Sequence, residues 1–204
     1  DFNTYYAASR LLISRQDIYD GGLTKQLLQT ERLAYIENSN YIYLPYLAAL
    51  IVPLVPLGGQ TAGLIWYGVS LIAVIGACWL LVQSQLRVQK RPVDGGRWLS
   101  ILIFALLFLP TNYSMFVGQV NALVLVLLSA AYYSFGSGRE GWAGVFVGFA
   151  VLIKISPIVL LVFVVAKRSR KALIASIITV LGVMLLTMPL FAAEIQIFMV
   201  RVLP

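Results

Sequence analysis

The residues that could carry chemistry in this 204-residue chain are few, because it contains no histidine and only 11% of its residues are charged. Histidine is the commonest general base and metal ligand, so catalysis must rest on carboxylate, lysine, arginine or tyrosine. Asp1 begins the segment Asp1-Phe-Asn-Thr-Tyr-Tyr6, and a carboxylate can act as general base on an acceptor hydroxyl. The alternative is that Asp1 caps the helix that follows it, since aspartate is among the best N-cap residues.

A lysine lies in the middle of the otherwise apolar segment 141–166, in the sequence Lys154-Ile-Ser-Pro157. A lysine at membrane depth is costly and indicates a functional site, whereas the alternative is a side chain that snorkels to the interface. Its ammonium could stabilise a phosphate group as it departs from a sugar carbon, as a metal ion often does. We predict neither a metal site nor a cofactor.

Two amides bracket the start of another apolar segment, in the sequence Gly118-Gln-Val-Asn121. Asn121 could cap the following helix, while Gln119 could hydrogen-bond a sugar or a neighbouring helix. Tyrosines near the start of the chain could offer a sugar-stacking and lipid-contact surface, although aromatic residues are common at membrane interfaces. The candidate substrate-binding residues are therefore Tyr5, Tyr43, Gln119, Asn121 and Lys154.

The composition places these residues in a membrane protein. The chain is 60% hydrophobic and its mean hydropathy is +0.89, whereas soluble domains carry about 25% charged residues. Continuous apolar runs favour helices over the alternating strands of a barrel. The net charge of +7 would suggest nucleic acid for a soluble protein. Here the basic residues cluster at the ends of apolar segments, so we predict membrane lipids as partners and no nucleic acid.

The first part of the chain is predicted to lie at the membrane surface. Residues 1–40 are the longest polar stretch, with an amphipathic helix in which Tyr5, Ala8, Leu11 and Leu12 share a face. Residues 41–57 are apolar but contain three prolines, which disfavour one continuous transmembrane helix. We interpret them as short interfacial or re-entrant helices within an outer loop, residues 1–60.

The remainder, residues 61–204, is predicted to form transmembrane helices, because its apolar runs approach the roughly 20 residues that a bilayer requires. A polar connection, Asn112–Asn121, separates the second and third of these runs. Segment 141–166 is interpreted as a hairpin of two short helices that turns at Lys154. The predicted spans are Gln60–Val82, Trp98–Pro110, Val120–Phe135, this hairpin, and Ala172–Phe191.

The basic loops predict the topology. With a hairpin at 141–166, the loops 83–97, 136–141 and 167–171 all lie on one side, which the positive-inside rule makes cytoplasmic. Residues 1–60, the connection 111–120, the Lys154 turn and the tail after residue 191 then share the outer side. If 41–57 or 141–166 were a single full span, the basic loops would be divided between both sides.

We expect the sequence to be an interior piece of a longer protein. It begins with Asp1, shows no signal peptide, and stops directly after an apolar span. The piece is predicted to form one membrane-embedded domain over residues 1–204.

Several motifs occur in the order and spacing of a known family. They are Asp1-Phe-Asn-Thr-Tyr-Tyr6, Ile18-Tyr-Asp20, Tyr43-Leu-Pro45, Gly118-Gln-Val-Asn121, Ala143-Gly144 and Lys154-Ile-Ser-Pro157. In these the chain resembles glycosyltransferase family 87, polytopic mannosyltransferase-like enzymes of the GT-C superfamily. Leu44 departs from the family pattern, in which a proline is usual at that position.

The resemblance implies an all-α transmembrane bundle of the GT-C type, with interfacial helices in its first outer loop. It implies an inverting transfer of a hexose, most often mannose, from a polyprenyl-phosphate donor to a lipid or glycan acceptor. Asp1 matches the aspartate that serves as general base in such enzymes. The implied location is the bacterial plasma membrane, with several spans and the active site on the outer face.

The main alternative is a transporter or flippase for a lipid-linked glycan, since such proteins also hold charged residues beside discontinuous helices. An internal repeat would favour it, and the sequence shows none. The unusual polar residues are also predicted to lie on one side of the membrane rather than along a path through it. A non-catalytic scaffold would leave Lys154 without an obvious purpose.

Overall fold

Most of the described residues are helical. The computed structural model describes residues 1–35, 40–89 and 95–202. These ranges form ten α-helices and contain no strand, which confirms the all-α prediction. The helices are α1 (Phe2–Ile13), α2 (Gly21–Thr30), α3 (Pro45–Ile51), α4 (Gly59–Gln89), α5 (Gly95–Leu107), α6 (Leu109–Phe116), α7 (Asn121–Gly136), α8 (Glu140–Ile153), α9 (Leu160–Ala166) and α10 (Arg170–Ile197).

The chain divides into two compact units. The first comprises Asp1–Gly68 and Leu186–Pro204, and the second comprises Val69–Leu185. Helices α1 to α3 belong to the first unit and α5 to α9 to the second, whereas the long helices α4 and α10 contribute residues to both. The prediction of one membrane-embedded domain stays a prediction.

Two helices of the described ranges are long and apolar enough to cross a membrane. They are Gly59–Gln85, with 27 residues, and Arg170–Val202, with 33 residues. The predicted span Gln60–Val82 lies within the first of them. Helices α5 and α6 would together form a third span, broken by a bend of 62°. This pattern confirms the prediction of a helical membrane protein.

The predicted polar connection Asn112–Asn121 is wrong in its first half. Helix α5 ends before Phe108, whose backbone is extended, and α6 begins at Leu109 with Pro110 in its first turn. Proline is well tolerated there because the amide hydrogen that it lacks would have no partner in the helix. The connection between α6 and α7 is therefore limited to residues 117–120.

Two of the predicted basic loops are shorter than expected. Helix α4 continues to Gln89 and α5 begins at Gly95, so most of the predicted loop 83–97 is helical. Lys90 and Arg91 of that loop lie outside the described residues. The loop predicted at 136–141 is reduced to residues 137–139, between α7 and α8.

The last span is longer than the predicted Ala172–Phe191. Helix α10 continues to Ile197 although it contains Pro189, and a π-helical turn, Phe198–Val202, follows it. Proline inside a helix removes one backbone hydrogen bond and kinks the axis. The distortion is concentrated at Phe191, whose φ of −127° and ψ of 17° are not helical. The predicted end of this span at Phe191 is therefore wrong, and the helix extends into the predicted tail.

The predicted break at Lys154 is confirmed. Helix α8 ends at Ile153, Lys154 is extended with φ −146° and ψ 130°, and a 3₁₀ helix, Ser156–Val159, precedes α9. Pro157 has no amide hydrogen to donate to the carbonyl of Ile153, which disfavours continuation of α8 through it. That the chain reverses direction here stays a prediction.

Close packing of α8 on α10 organises the second unit. A Cβ atom added to Gly144 would collide with the backbone carbonyl of Ala172, and one added to Gly148 would lie 2.8 Å from Cβ of Thr179. In lipid, small residues drive association by letting helix backbones approach closely. Ser169 reinforces the contact, because its Oγ donates to Glu140 at 2.8 Å and accepts from the amide of Ala172 at 3.2 Å.

An apolar cluster joins α4, α6 and α7 within the same unit. Its buried members are Ala73, Val74, Cys78, Met115 and Ala122. Met115 and Ala122 adjoin Ser114 and Asn121 in the sequence, so the cluster holds the ends of α6 and α7 that carry these polar residues.

The first unit is built around α1. The helix is confirmed, but its buried surface is wider than one amphipathic face and includes Thr4, Tyr6 and Ser9 as well as Tyr5, Ala8 and Leu11. Residues 41–57 form α3 followed by a 3₁₀ helix, Val52–Leu57, and not a span, as predicted. That α1 and α3 lie at a membrane interface stays a prediction.

Candidate active site

Lys154 is held by an amide of another helix. Its Nζ donates to Oδ1 of Asn121 at 2.8 Å, and both side chains are half-buried. Asn121 is the first residue of α7, and Lys154 directly follows α8. No carboxylate of the described residues pairs with Lys154, so its partner is a neutral amide oxygen and not a counter-ion.

The other end of the Asn121 amide is bound to two further side chains. Its Nδ2 donates to Oε1 of Gln119 at 2.6 Å and to Oγ of Ser114 at 3.1 Å. The Ser114 hydroxyl itself donates to the same Gln119 oxygen at 3.1 Å. Lys154, Asn121, Gln119 and Ser114 thus form one hydrogen-bonded group, which we call the lysine–amide network.

The turn between α6 and α7 places Gln119 beside Ser114. The backbone amide of Gln119 donates to the carbonyl of Ser114 at 2.8 Å, and that of Gly118 donates to the carbonyl of Met115 at 3.0 Å. This pair of bonds is the Schellman ending of a helix, which requires a left-handed residue and favours glycine. Gly118 has φ +70° and fills that position. The glycine before Gln119 therefore has a defined geometric role.

The hydrogen-bonding capacity of the network is only partly used. Both hydrogens of Asn121 Nδ2 are donated, and Oδ1 accepts from Lys154, so Asn121 has no amide hydrogen left for a ligand. Lysine carries three donor hydrogens, and only one of those on Lys154 has a partner among the described residues. The Nε2 group of Gln119 likewise has no partner in the described part of the chain. The available donors are thus those of Lys154 and Gln119.

A small cavity adjoins the network within the second unit. Its volume is about 230 Å³, and its polar lining includes Ser114, Asn121 and Thr111 beside apolar residues. Pockets that enclose a drug-sized ligand measure roughly 300–1,000 Å³. The cavity is therefore too small for a whole lipid-linked sugar, and most of its lining residues are apolar.

Asp1 does not cap α1 with its side chain. It occupies the N-cap position, and its backbone carbonyl accepts from the amides of Thr4 and Tyr5 at 3.0 and 3.2 Å, but its carboxylate makes no capping bond. The capping alternative is therefore wrong for the carboxylate. The half-buried Asp1 side chain lies at the amino end of α1, where the helix dipole stabilises a negative charge.

Tyr5 lies beneath Tyr43 in an aromatic cluster of the first unit. Tyr5 is 2% exposed, whereas Tyr43 is half-buried. The Tyr5 hydroxyl donates to that of Tyr43 at 3.1 Å, and the two rings pack edge to face at 5.2 Å. Of the two, only Tyr43 presents appreciable accessible surface, so Tyr5 is too buried for the direct ligand contact predicted from the sequence.

Two further tyrosines of this cluster fix the same segment. Tyr19 donates to the carbonyl of Tyr43 at 3.0 Å, and Tyr41 donates to the carbonyl of Leu44 at 2.7 Å. Burial raises the pKa of both hydroxyls above the ordinary tyrosine value, since the charged form loses its hydration. Both therefore act as neutral donors that shape the backbone at Tyr43.

The motif Ile18-Tyr-Asp20 has a structural explanation. Asp20 is the N-cap of α2, and its Oδ1 accepts from the amides of Gly22 and Leu23 at 2.7 and 3.0 Å. Ile18 is fully buried. Nearby, Asp17 pairs with Arg201 at 3.0 Å. These acidic residues are engaged in holding the first unit together.

Ser114 is the network member that the sequence did not reveal. Serine is common, and the only pattern that singles it out is its position ahead of the glycine that ends α6. No group of three or more acidic or cysteine side chains that could hold a metal ion exists among the described residues. The arrangement offers a cation and amide donors for an anionic or hydroxylated ligand.

The comparison with known families finds one match that covers most of the chain. The model of glycosyltransferase family 87 matches residues 41–204. The chain belongs to glycosyltransferase family 87. No curated protein and no solved structure matches it.

This member of family 87 is thus a membrane glycosyltransferase, which uses a sugar donor and an acceptor. The matched segment contains Tyr43, Gln119, Asn121 and Lys154, and it begins after Asp1 and Tyr5. The whole lysine–amide network therefore lies within the part of the chain that carries the family pattern.

Proposed function

We propose that this glycosyltransferase moves a hexose, mannose in the first instance, from a polyprenyl-phosphate donor to a hydroxyl of a lipid or glycan acceptor. The observation that carries the proposal is Lys154. Its ammonium is half-buried, held by a neutral amide oxygen and unpaired with any carboxylate of the described residues. An ammonium of this kind can itself serve as the counter-ion of a bound phosphate group.

The proposed step is a single displacement at the anomeric carbon of the sugar. The acceptor oxygen forms a bond to that carbon while the bond from carbon to the phosphate oxygen breaks, which inverts the configuration. The electron pair leaves with the polyprenyl phosphate, whose growing charge the ammonium of Lys154 stabilises. The proton of the acceptor hydroxyl goes to the carboxylate of Asp1, which acts as general base.

The remaining residues are assigned to binding. The free Nε2 hydrogens of Gln119 are proposed to bond the phosphate or a sugar hydroxyl, and Tyr43 offers an accessible ring on which a sugar can stack. Asn121 contributes through Lys154, because both of its amide hydrogens are already donated within the network. Asp1 belongs to the first unit and Lys154 to the second, so the two roles are tested by separate variants.

The proposed setting is a multi-pass protein of the bacterial plasma membrane with its site on the outer face. The positive-inside rule supports this side, since four basic residues lie between the end of α9 and the first turn of α10, namely Lys167, Arg168, Arg170 and Lys171. A polyprenyl-phosphate donor is itself a membrane lipid, which agrees with a site built at a break in an apolar segment.

The test is transfer from a defined donor. Membranes that contain the full-length protein are incubated with radiolabelled mannosyl polyprenyl phosphate, and in parallel with labelled GDP-mannose in the presence of a chelator. We expect label in a lipid or glycan product only from the lipid-linked donor. Transfer from the nucleotide sugar alone would contradict the donor class, and movement of the lipid-linked sugar across the membrane without transfer would indicate a flippase.

A further inference from the structure

Ser114 occupies a place in the lysine–amide network from which it controls the orientation of Asn121. Its hydroxyl accepts one hydrogen of Asn121 Nδ2 and donates its own to Gln119 Oε1, which accepts the second hydrogen of the same group. Nδ2 of Asn121 is thus held by two acceptors, and these acceptors are joined to each other by the hydrogen bond from Ser114 to Gln119.

This arrangement permits only one orientation of the amide. Turning it over would place Nδ2 against the ammonium of Lys154, two donors facing each other, and Oδ1 against Oε1 of Gln119, two acceptors facing each other. Each clash leaves half-buried polar groups unsatisfied, which is costly. The carbonyl oxygen of Asn121 consequently faces Lys154, at 2.8 Å.

We propose that Ser114 is a positioning residue for Lys154: it fixes the Asn121 amide, and through it the ammonium that binds the phosphate of the donor. The function of that ammonium rests on the glycosyl-transfer proposal above, whereas the positioning itself does not. Without the hydroxyl, one hydrogen of Asn121 Nδ2 loses its acceptor and Gln119 Oε1 loses one of its two donors. The amide of Asn121 is then held by one acceptor fewer, so the position of its Oδ1, and of the ammonium bound to it, is less tightly fixed.

The test uses three single variants of the full-length protein. Ser114→Ala removes the hydroxyl, and Ser114→Thr retains it. Ser129→Ala is the matched control: Ser129 is a buried serine of α7, the helix that begins with Asn121, and its hydroxyl bonds only within its own helix, to the carbonyl of Leu125 at 2.8 Å. A general loss of helix stability would affect Ser129→Ala and Ser114→Ala alike.

The first measurement does not depend on any substrate. An amine-reactive reagent labels the purified protein, and peptide mapping gives the rate at Lys154 relative to the exposed Lys167. We expect Ser114→Ala to raise the relative rate at Lys154 several-fold, with Ser114→Thr and Ser129→Ala close to the parent protein. An unchanged rate in Ser114→Ala, or an equal rise in Ser129→Ala, overturns the proposal.

The second measurement is the dissociation constant of decaprenyl phosphate in detergent micelles. Ser114→Ala should raise it roughly three- to tenfold, the effect of losing one hydrogen bond, and Ser114→Thr should restore it. If the labelling rate changes as expected but the parent protein does not bind decaprenyl phosphate, the donor assignment fails and the positioning role stands. If the parent protein binds and Ser114→Ala binds equally well, the positioning role fails.

Discussion

Nζ of Lys154 lies 2.8 Å from Oδ1 of Asn121, a residue 33 positions earlier in the chain. The contact joins the break after α8 to the beginning of α7, two helices that pack along each other in the second unit. The contact uses one hydrogen of the ammonium, and the other two have no partner within the part of the chain that the structure describes. The predictions below test this contact, the proposed base and the packing that supports them.

Lys154→Ala should weaken the binding of decaprenyl phosphate by about 1.5–3 kcal/mol, roughly 10- to 150-fold, because a charged hydrogen-bond donor is lost. Lys154→Arg keeps the charge and should retain part of the affinity. Isothermal titration in micelles measures both. Equal affinity in Lys154→Ala and the parent protein would leave only a snorkelling role for the lysine.

Asn121→Asp should abolish phosphate binding more completely than Asn121→Ala does. The aspartate places a carboxylate where Oδ1 contacts Lys154, and the resulting ion pair neutralises the ammonium and repels an anion. The same titration measures the effect, with thermal unfolding in detergent as the control for folding. Stronger binding in Asn121→Asp than in Asn121→Ala would contradict the role given to Lys154.

Asp1→Asn should lower kcat for sugar transfer by about 10²- to 10⁴-fold, the usual contribution of a general base, with little change in donor affinity. The control is Asp17→Asn, which removes an identical charge from the exposed ion pair with Arg201 and should transfer sugar at nearly the parent rate. Initial rates with labelled donor measure both. Full activity in Asp1→Asn would falsify the assignment of the base.

Gly144→Ala should destabilise the protein by about 1–3 kcal/mol, because its Cβ would overlap the carbonyl of Ala172 in a packed contact. Gly182→Ala provides the comparison, since no atom lies within 4 Å of the added Cβ. Alanine also favours a helix over glycine by up to about 1 kcal/mol. Unfolding temperatures in detergent should therefore fall for Gly144→Ala and hold or rise for Gly182→Ala.

The first unit should lose stability as the pH rises above 10.0, the ordinary pKa of tyrosine. Burial raises the pKa of Tyr19 and Tyr41 in the folded protein, so their neutral forms favour folding below that pH. Above pH 10.0 the two tyrosine hydroxyls lose their protons more readily in the unfolded chain than in the folded protein. The free energy of unfolding therefore falls as the pH rises further. Ultraviolet absorbance of tyrosinate together with helical circular dichroism measures this. Tyr19→Phe should show a weaker pH dependence.

The long apolar helices could be predicted from hydropathy alone. The span Gln60–Val82 falls within an observed helix, and the break at Lys154 follows from the missing amide hydrogen of Pro157. Helix α6 could not be predicted in the same way, because Thr111, Asn112 and Ser114 make its sequence look like a polar loop. Its existence depends on Pro110, which begins a helix as readily as it ends one.

The candidate site was predictable in its residue types and not in its connections. The cost of a lysine in an apolar segment singles out Lys154, and the two amides draw attention to Gln119 and Asn121. The contact between Asn121 and Lys154 depends on the packing of α7 against α8. Patterns within a single sequence do not predict this packing. The burial of Tyr5 depends on tertiary packing for the same reason.

The left-handed Gly118 has a consequence for how such a site can vary. Ser114, Gln119 and Asn121 are joined by bonds within one short stretch of chain, and only the lysine comes from elsewhere. The hydrogen bonds among these three residues depend only on this stretch, so the same stretch between two helices of another protein should keep its geometry. Lys154 can then be replaced independently of this stretch. Such a change would alter what the site binds while the turn at Gly118 stays the same.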